Sequence, residues 1–260
     1  PVSETVFRDS SEKVISRLEV LDVNTGLRQI VLEKEGRFEA PNWYNDGSFF
    51  IINGGGLLHK VAVDGTQFDT LNTAFLNRCN NDHGISPDGK TLVISNNDSI
   101  GSRIYTMPLE GGTPRLITPK APSYWHGWSR DGDTLAYVAQ RGNRDFNIYT
   151  IALDSTAEEQ AITTGGGLDD GPDYAPDSTH IFFNSERSGT MKIWRMRTDG
   201  SELTQLTFDD YQDWFPHPSP DGTKLIFLSF LPEVPSDLHP PARKVMLRML
   251  DLTEENPQPK

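Results

Sequence analysis

Ser86-Pro87-Asp88-Gly89-Lys90, running into Thr91-Leu92-Val93-Ile94-Ser95, reads as a tight turn that feeds a hydrophobic strand. The same phrase returns as Asn45-Asp46-Gly47, Arg130-Asp131-Gly132, Pro176-Asp177-Ser178 and Pro220-Asp221-Gly222. Each copy opens another short apolar run: Phe49 to Ile52, Thr134 to Val138, Ile181 to Phe183, and Leu225 to Leu228. The turn aspartates stand at 46, 88, 131, 177 and 221. A regular spacing of that size marks a repeat architecture, in which one unit cannot bury its own faces and must stack on the next.

Working outward from the turn, each unit has the same parts. A short lead-in segment precedes the turn and the apolar strand follows it. A third strand is expected at Leu57 to Val63, Arg103 to Met107, Phe146 to Ile151, Lys192 to Met196 and Lys244 to Leu250. Polar turns at Asp64-Gly65, Gly111-Gly112, Asp154-Ser155 and Asp199-Gly200 lead to a fourth strand. In three units that strand ends in Ile117-Thr118, Ile162-Thr163 or Leu206-Thr207. Four strands per unit, with turn signals about every ten residues, is the pattern of a β-propeller blade. Ahead of the first unit, Arg17 to Val23 and Leu27 to Leu32 form two further strands around Asn24-Thr25-Gly26. The expectation is an all-β propeller of four-stranded blades. It has about six blades with the sixth incomplete, or alternatively five blades plus an extra N-terminal hairpin. A tail over 1–14, one propeller domain over 15–253 and a second tail over 254–260 complete the organisation.

The 260 residues carry 24 Lys and Arg against 37 Asp and Glu, a net charge of −13, which disfavours a nucleic-acid partner. No apolar run approaches the roughly 20 residues that cross a bilayer as a helix. The single cysteine, Cys79, excludes an intrachain disulfide and reads as a buried small hydrophobe. Pro1 opens the chain without a Met or a signal-peptide pattern, so a cleaved export signal stays open.

The Ser-Pro-Asp-Gly-Lys phrase, the aromatic residue of the third strand (Tyr105, Tyr149, Trp194) and the Asp-Gly turn together resemble the TolB β-propeller repeat from about Arg17 to Leu252. Three longer phrases are more specific: Arg78-Cys79-Asn80-Asn81-Asp82-His83-Gly84, Pro122-Ser123-Tyr124-Trp125-His126-Gly127-Trp128, and Asp213-Trp214-Phe215-Pro216-His217-Pro218. They resemble an uncharacterised bacterial TolB-related subgroup rather than TolB itself, whose separate N-terminal α/β domain is not expected here. The resemblance implies a non-catalytic binding or interaction scaffold and favours a periplasmic or exported location over a cytoplasmic one. The family pattern has a further Ser-Pro-Asp-Gly copy after Asp251, where this chain has none. An unfinished blade exposes sheet edges, which points to self-association there.

Blade geometry puts the Asp-Gly turns on one face and the lead-in segments, with the loops between second and third strands, on the other. The lead-in segments are rich in His, Asp and aromatic residues. His83 and His126 stand at the same distance from their turns, each before a glycine. The candidate ligand-binding residues are Asn81, Asp82, His83, Tyr124, Trp125, His126, Asp170, Asp173, Arg187, Trp214 and His217. Three readings compete: polar groups satisfying one another between blades, a divalent metal on His83, His126 and His217 with nearby carboxylates, or a small carbohydrate or protein ligand against the aromatic faces. Arg187 either pairs with Asp169 and Asp170 or holds a substrate carboxylate. The loops Asn96 to Ser102, Arg141 to Asp145, Ser185 to Arg187 and the proline-rich Leu231 to Arg243, with His239, reach the same face. No Gly-x-Ser-x-Gly elbow and no phosphate-cradling glycine loop is present. The enzyme alternative is a metal-dependent carbohydrate lyase or hydrolase working at the same mouth, with its catalytic residues unassigned.

Overall fold

Each Asp-Gly turn closes on its own aspartate. The structure, a computed structural model, describes residues 13–142, 145–154, 158–240 and 243–260. Residues 1–12 of the expected tail, Asn143 and Arg144 of the 141–145 loop, Ser155 of its turn, and Pro241 and Ala242 of the long loop lie outside the described residues. The carboxylates of Asp46, Asp88, Asp131, Asp177 and Asp221 each accept the backbone N–H two residues on. Ser86, Ser129 and Ser219 add a hydroxyl donor. These donors hold all five carboxyls below the usual range, Asp221 at about 2. Gly47, Gly89, Gly132 and Gly222 supply the positive φ that ends the turn; in the fourth copy Ser178 takes it at 55°.

Among the described residues the turns organise five blades and a separate hairpin. The hairpin is β1 (Ile15–Leu21) and β2 (Arg28–Glu35). The first blade is β3 (Glu39–Trp43), β4 (Phe49–Gly54), β5 (Leu57–Ala62) and β6 (Phe68–Thr70). The second is β7 (Cys79–Ile85), β8 (Thr91–Asp98), β9 (Gly101–Pro108) and β10 (Arg115–Leu116). The third is β11 (Ser123–Trp128), β12 (Thr134–Gln140), β13 (Phe146–Ala152) and β14 (Gln160–Ala161). The fourth is β15 (Asp169–Tyr174), β16 (His180–Ser185), β17 (Lys192–Arg197) and β18 (Thr204–Gln205). The fifth has three strands, β19 (Gln212–Pro218), β20 (Lys224–Phe230) and β21 (Val245–Asp251). Pairing is antiparallel throughout each sheet. The all-β propeller is as expected, and the blade arrangement fits the alternative of five blades with an N-terminal hairpin. Residues 254–260, expected as a tail, bring Lys260 back to exchange backbone hydrogen bonds with Met249.

The apolar run after each turn is continuous because the second strand is buried on both faces. Leu92 and Ile94 of β8 pack on Phe49, Ile51 and Leu58 of the first blade, while Val93 packs on Leu135 and Tyr137 of the third. In β16, Ile181 and Phe183 face Ala136 and Ile148, and Phe182 faces Leu225 and Phe227. Each such side chain contributes about 1.5–3 kcal/mol by leaving water. The fifth blade differs. In β20, Leu225 and Phe227 are buried, while Ile226 and Leu228 between them are only half-buried. Leu18 and Val31 of the hairpin pack on Phe50, Ile52 and Val61 of the first blade, leaving Ile15 and Ile30 exposed.

The repeated Leu/Ile-Thr pair has a structural task. The buried hydroxyls of Thr118, Thr163 and Thr207 accept the backbone N–H of Ile104, Ile148 and Ile193. The fourth strand is only two residues long in these blades, and the threonine continues its pairing by side chain.

Candidate functional site

The innermost strand of every blade carries a β-bulge just ahead of its turn. Pairing skips between Glu39 and Asn42, Cys79 and His83, Trp125 and Gly127, Asp170 and Asp173, and Trp214 and His217. Ala40, Gly171 and Phe215 take positive φ there (54°, 60° and 54°). A bulge leaves a residue unpaired and re-aims its side chain. Side chains from the neighbouring blade hold several of these irregular backbones. Asn53 donates to the Cys79 carbonyl, Ser95 Oγ accepts from the Trp125 N–H, and Asn184 Oδ1 accepts from the Phe215 N–H.

The re-aimed residues meet at a pocket of about 700 Å³ in the mouth of the propeller. The second blade contributes Asn80, Asn81 and Asp82, and the third contributes Tyr124, His126, Val138, Asp145 and Phe146. Gly167, Leu168, Asp170 and Glu186 come from the fourth, and Phe215, Asp237 and His239 from the fifth and its loop. His126 Nε2 donates to Asp170 Oδ1 at 3.1 Å, with the two side chains 14% and 16% exposed. The His126 ring lies against Phe215, 5.9 Å between centroids. Gly171 N–H also donates to Asp170. His239 packs against Trp214 and Phe215, and Ser236 donates to Glu186, which ties the 231–240 segment over the pocket rim.

The charges are coupled. Burial works against a charged His126, yet the bond to Asp170 and the nearby carboxylates of Asp82 and Asp173 raise its pKa. Burial also opposes the Asp170 anion, but His126 and the Gly171 N–H hold that carboxyl below its ordinary value. Asp82 goes the other way: burial, with Asp170 adding to it, pushes its carboxyl up to about 6 against the pull of His126. Its backbone N–H donates to Asn80 Oδ1. Among the described residues no side chain or backbone group donates to its carboxylate.

The pocket thus joins Asn81, Asp82, Tyr124, His126 and Asp170 of the candidate residues, and places the others elsewhere. The structure separates the two histidines that share a distance from the turn. Strand β7 keeps regular pairing through His83↔Ile94 and bulges ahead of it, whereas β11 bulges at His126 itself. The His83 ring therefore turns into the interblade core, with Nε2 3.4 Å from the Ile51 carbonyl, and burial lowers its pKa to about 4. Trp125 and Trp214 are buried, not mouth platforms; each precedes a bulge and keeps the inward direction of a regular strand. Trp125 fills the space over Gly84, where an added Cβ would lie 2.1 Å from the indole. Asp173 and His217 pair with each other at 3.0 Å, the histidine side chain 66% exposed, and do not line the pocket. Arg187 forks onto buried Asp169 at 2.8 Å to both oxygens and lies over Trp194, so it is taken up within its own blade.

The metal set expected from sequence does not converge: His83 is in the core, His126 is bonded to Asp170, and His217 is bonded to Asp173. Among the described residues no group of three or more His, Cys, Asp or Glu is placed to hold a metal ion. Sequence reasoning missed Phe146 and Phe215 as pocket residues, and had Asp237 and His239 only within a loop that reaches the same face. Phe215 stood in a quoted phrase, but only its bulge position distinguishes it from Trp214. No helix of the described residues is long and apolar enough to cross a membrane.

A family model, the TolB beta propeller domain (PD40), matches residues 120–233. The chain is 44% identical over 243 residues to an uncharacterised protein, Atu1656, of Agrobacterium fabrum, covering 93% of this chain and 82% of that one. Its fold is similar to the solved structure of a candidate TolB from Agrobacterium tumefaciens, with 42% identity and a TM-score of 0.89 over 95% of this chain and 88% of that one. It is also similar to TolB from Acinetobacter baumannii, with a TM-score of 0.74 over 94% of this chain and 61% of the other. At 16% identity that second likeness concerns the fold alone.

Proposed function

The chain belongs to the TolB-like β-propeller family, and on that premise we propose that it is a non-catalytic binding scaffold whose ligand site is the pocket at the propeller mouth. One observation carries the reading. The bulged innermost strands of four successive blades direct side chains into a single space of about 700 Å³, a size suited to a small ligand. The opposite face supports the same reading, because its turn aspartates are satisfied by their own turns. A thermal-shift screen of small ligands against wild type and the Tyr124→Ala/His126→Ala double variant tests it. The expected hits stabilise wild type and not the variant. Hits that stabilise both equally would put the site elsewhere.

A second reading concerns the sixth blade. The half-buried face of β20, the exposed Val245 and Leu247 of β21, and the exposed Ile15 and Ile30 of the hairpin favour a further pair of strands between the fifth blade and the hairpin. We infer that a second copy of the chain can cover these faces, with the hairpin as the outer half of that blade.

A further inference from the structure

We propose that the mouth pocket selects small organic amines, with a protonated primary ammonium hydrogen-bonded to the Asp82 carboxylate and the carbon body against Tyr124, Phe146 and Phe215. This rests on the pocket being the ligand site and goes further by naming what the site takes.

Three observations lead there. The first is the accounting of acceptors. Asp170 already receives His126 and the Gly171 N–H, and Glu186 receives Ser236. Asp82 alone of these three carboxylates has no donor among the described residues, although it sits in a partly buried wall. A desolvated carboxylate without a donor is costly, and a ligand N⁺–H removes that cost with a charge-assisted bond. The second is sign. Among the described residues the ionisable groups on the wall are carboxylates, histidines and the Tyr124 phenol, with no Lys or Arg, and His126 is engaged by Asp170. An anionic ligand meets repulsion there and a cation meets attraction, strengthened by the low dielectric of the cleft. The third is the apolar part of the wall. Tyr124 and Phe146 stand 6.3 Å apart on the third blade, and Phe215 closes the far side behind His126. Aromatic faces suit both an apolar body and a cation.

A divalent metal needs several convergent donors, which the pocket lacks. A neutral polyol offers donors but leaves the Asp82 charge uncompensated.

Titration calorimetry at pH 7.5 and low salt with 2-phenylethylamine, 2-phenylethanol and phenylacetate, three probes of similar size, tests the inference. The amine is expected to bind at least tenfold tighter than the alcohol, and the acid not at all. Asp82→Asn, nearly isosteric, should weaken the amine at least tenfold and leave the alcohol unchanged. Amine affinity should also fall as pH drops through about 6, where Asp82 takes up a proton. The groups facing Asp82 are His126 and Tyr124 of β11 and Asp170 of β15. His126, its pKa raised by Asp170, takes up its proton before Asp82 does and acts in the same direction. Equal binding of alcohol and amine, or an amine affinity indifferent to Asp82→Asn, overturns the inference while leaving the pocket as the ligand site. No binding by any probe also overturns it, and the ligand screen then judges the pocket independently.

Discussion

Asp82 and His83 are consecutive residues whose ionisation is shifted in opposite directions by the same cause. Burial raises the Asp82 carboxyl to about 6 and lowers the His83 imidazole to about 4. The consequences for stability have opposite signs. For His83 the folded state resists protonation, so its contribution is complete above the unfolded value near 6.5 and is lost as pH falls towards 4. For Asp82 the folded state holds its proton more tightly than the unfolded chain. Its ionisation therefore destabilises the fold above pH 6, and that cost disappears as pH falls from 6 towards 3.8. Asp82→Asn is accordingly expected to raise the melting temperature at pH 8, with the gain vanishing near pH 4. Calorimetric scans across that range check it, and a loss of stability at pH 8 would mean that the carboxylate has a donor in the folded protein. A residue that weakens the fold where it stands is the kind a binding site retains.

At the scale of the element, the bulged innermost strand is the unit that makes the site. The turn after it was legible in the sequence, because Asp-Gly at a fixed interval has one good conformation and the apolar run behind it has one good environment. The bulge was not legible. The extra residues, two in β7 and one in each of the other innermost strands, leave composition and spacing untouched but decide which side chains keep the regular alternation and which leave it. That is why His83 and His126, matched in the sequence, part in the structure, and why Trp125 and Trp214 looked like mouth residues while Phe215 beside them lines the pocket. The terminal threonines were legible as a repeat without a reason. Their reason is an acceptor for one buried N–H per blade. Thr207→Val should cost about 1–3 kcal/mol, the range for stranding a buried donor, against under about 0.5 kcal/mol for exposed Thr204→Val. Equal effects in denaturant unfolding would remove that role from the hydroxyl.

Over the whole molecule, four interfaces between successive blades are sealed by apolar residues from both sides, and the hairpin seals onto the first blade. The fifth blade has its outer face half-covered, as the period-2 burial of β20 records against the two-sided burial of β8, β12 and β16. Blade counting from the turns came close to this but could not say whether the hairpin closes a ring or stands apart, since both arrangements share one sequence pattern. If a second copy covers the face, sedimentation should show association growing with concentration and abolished by Leu247→Lys. A monomer at every concentration would leave the face to other partners.

We propose that binding belongs to the bulge-built mouth and not to the turn face. Soaking crystals of the protein with a fragment library distinguishes the two faces. Fragments, amines foremost, are expected between Asp82, Tyr124, His126, Asp170 and Phe215. Fragments gathered at the Asp-Gly turns, or in the smaller space of about 150 Å³ between the first two blades, with none at the mouth, would contradict it.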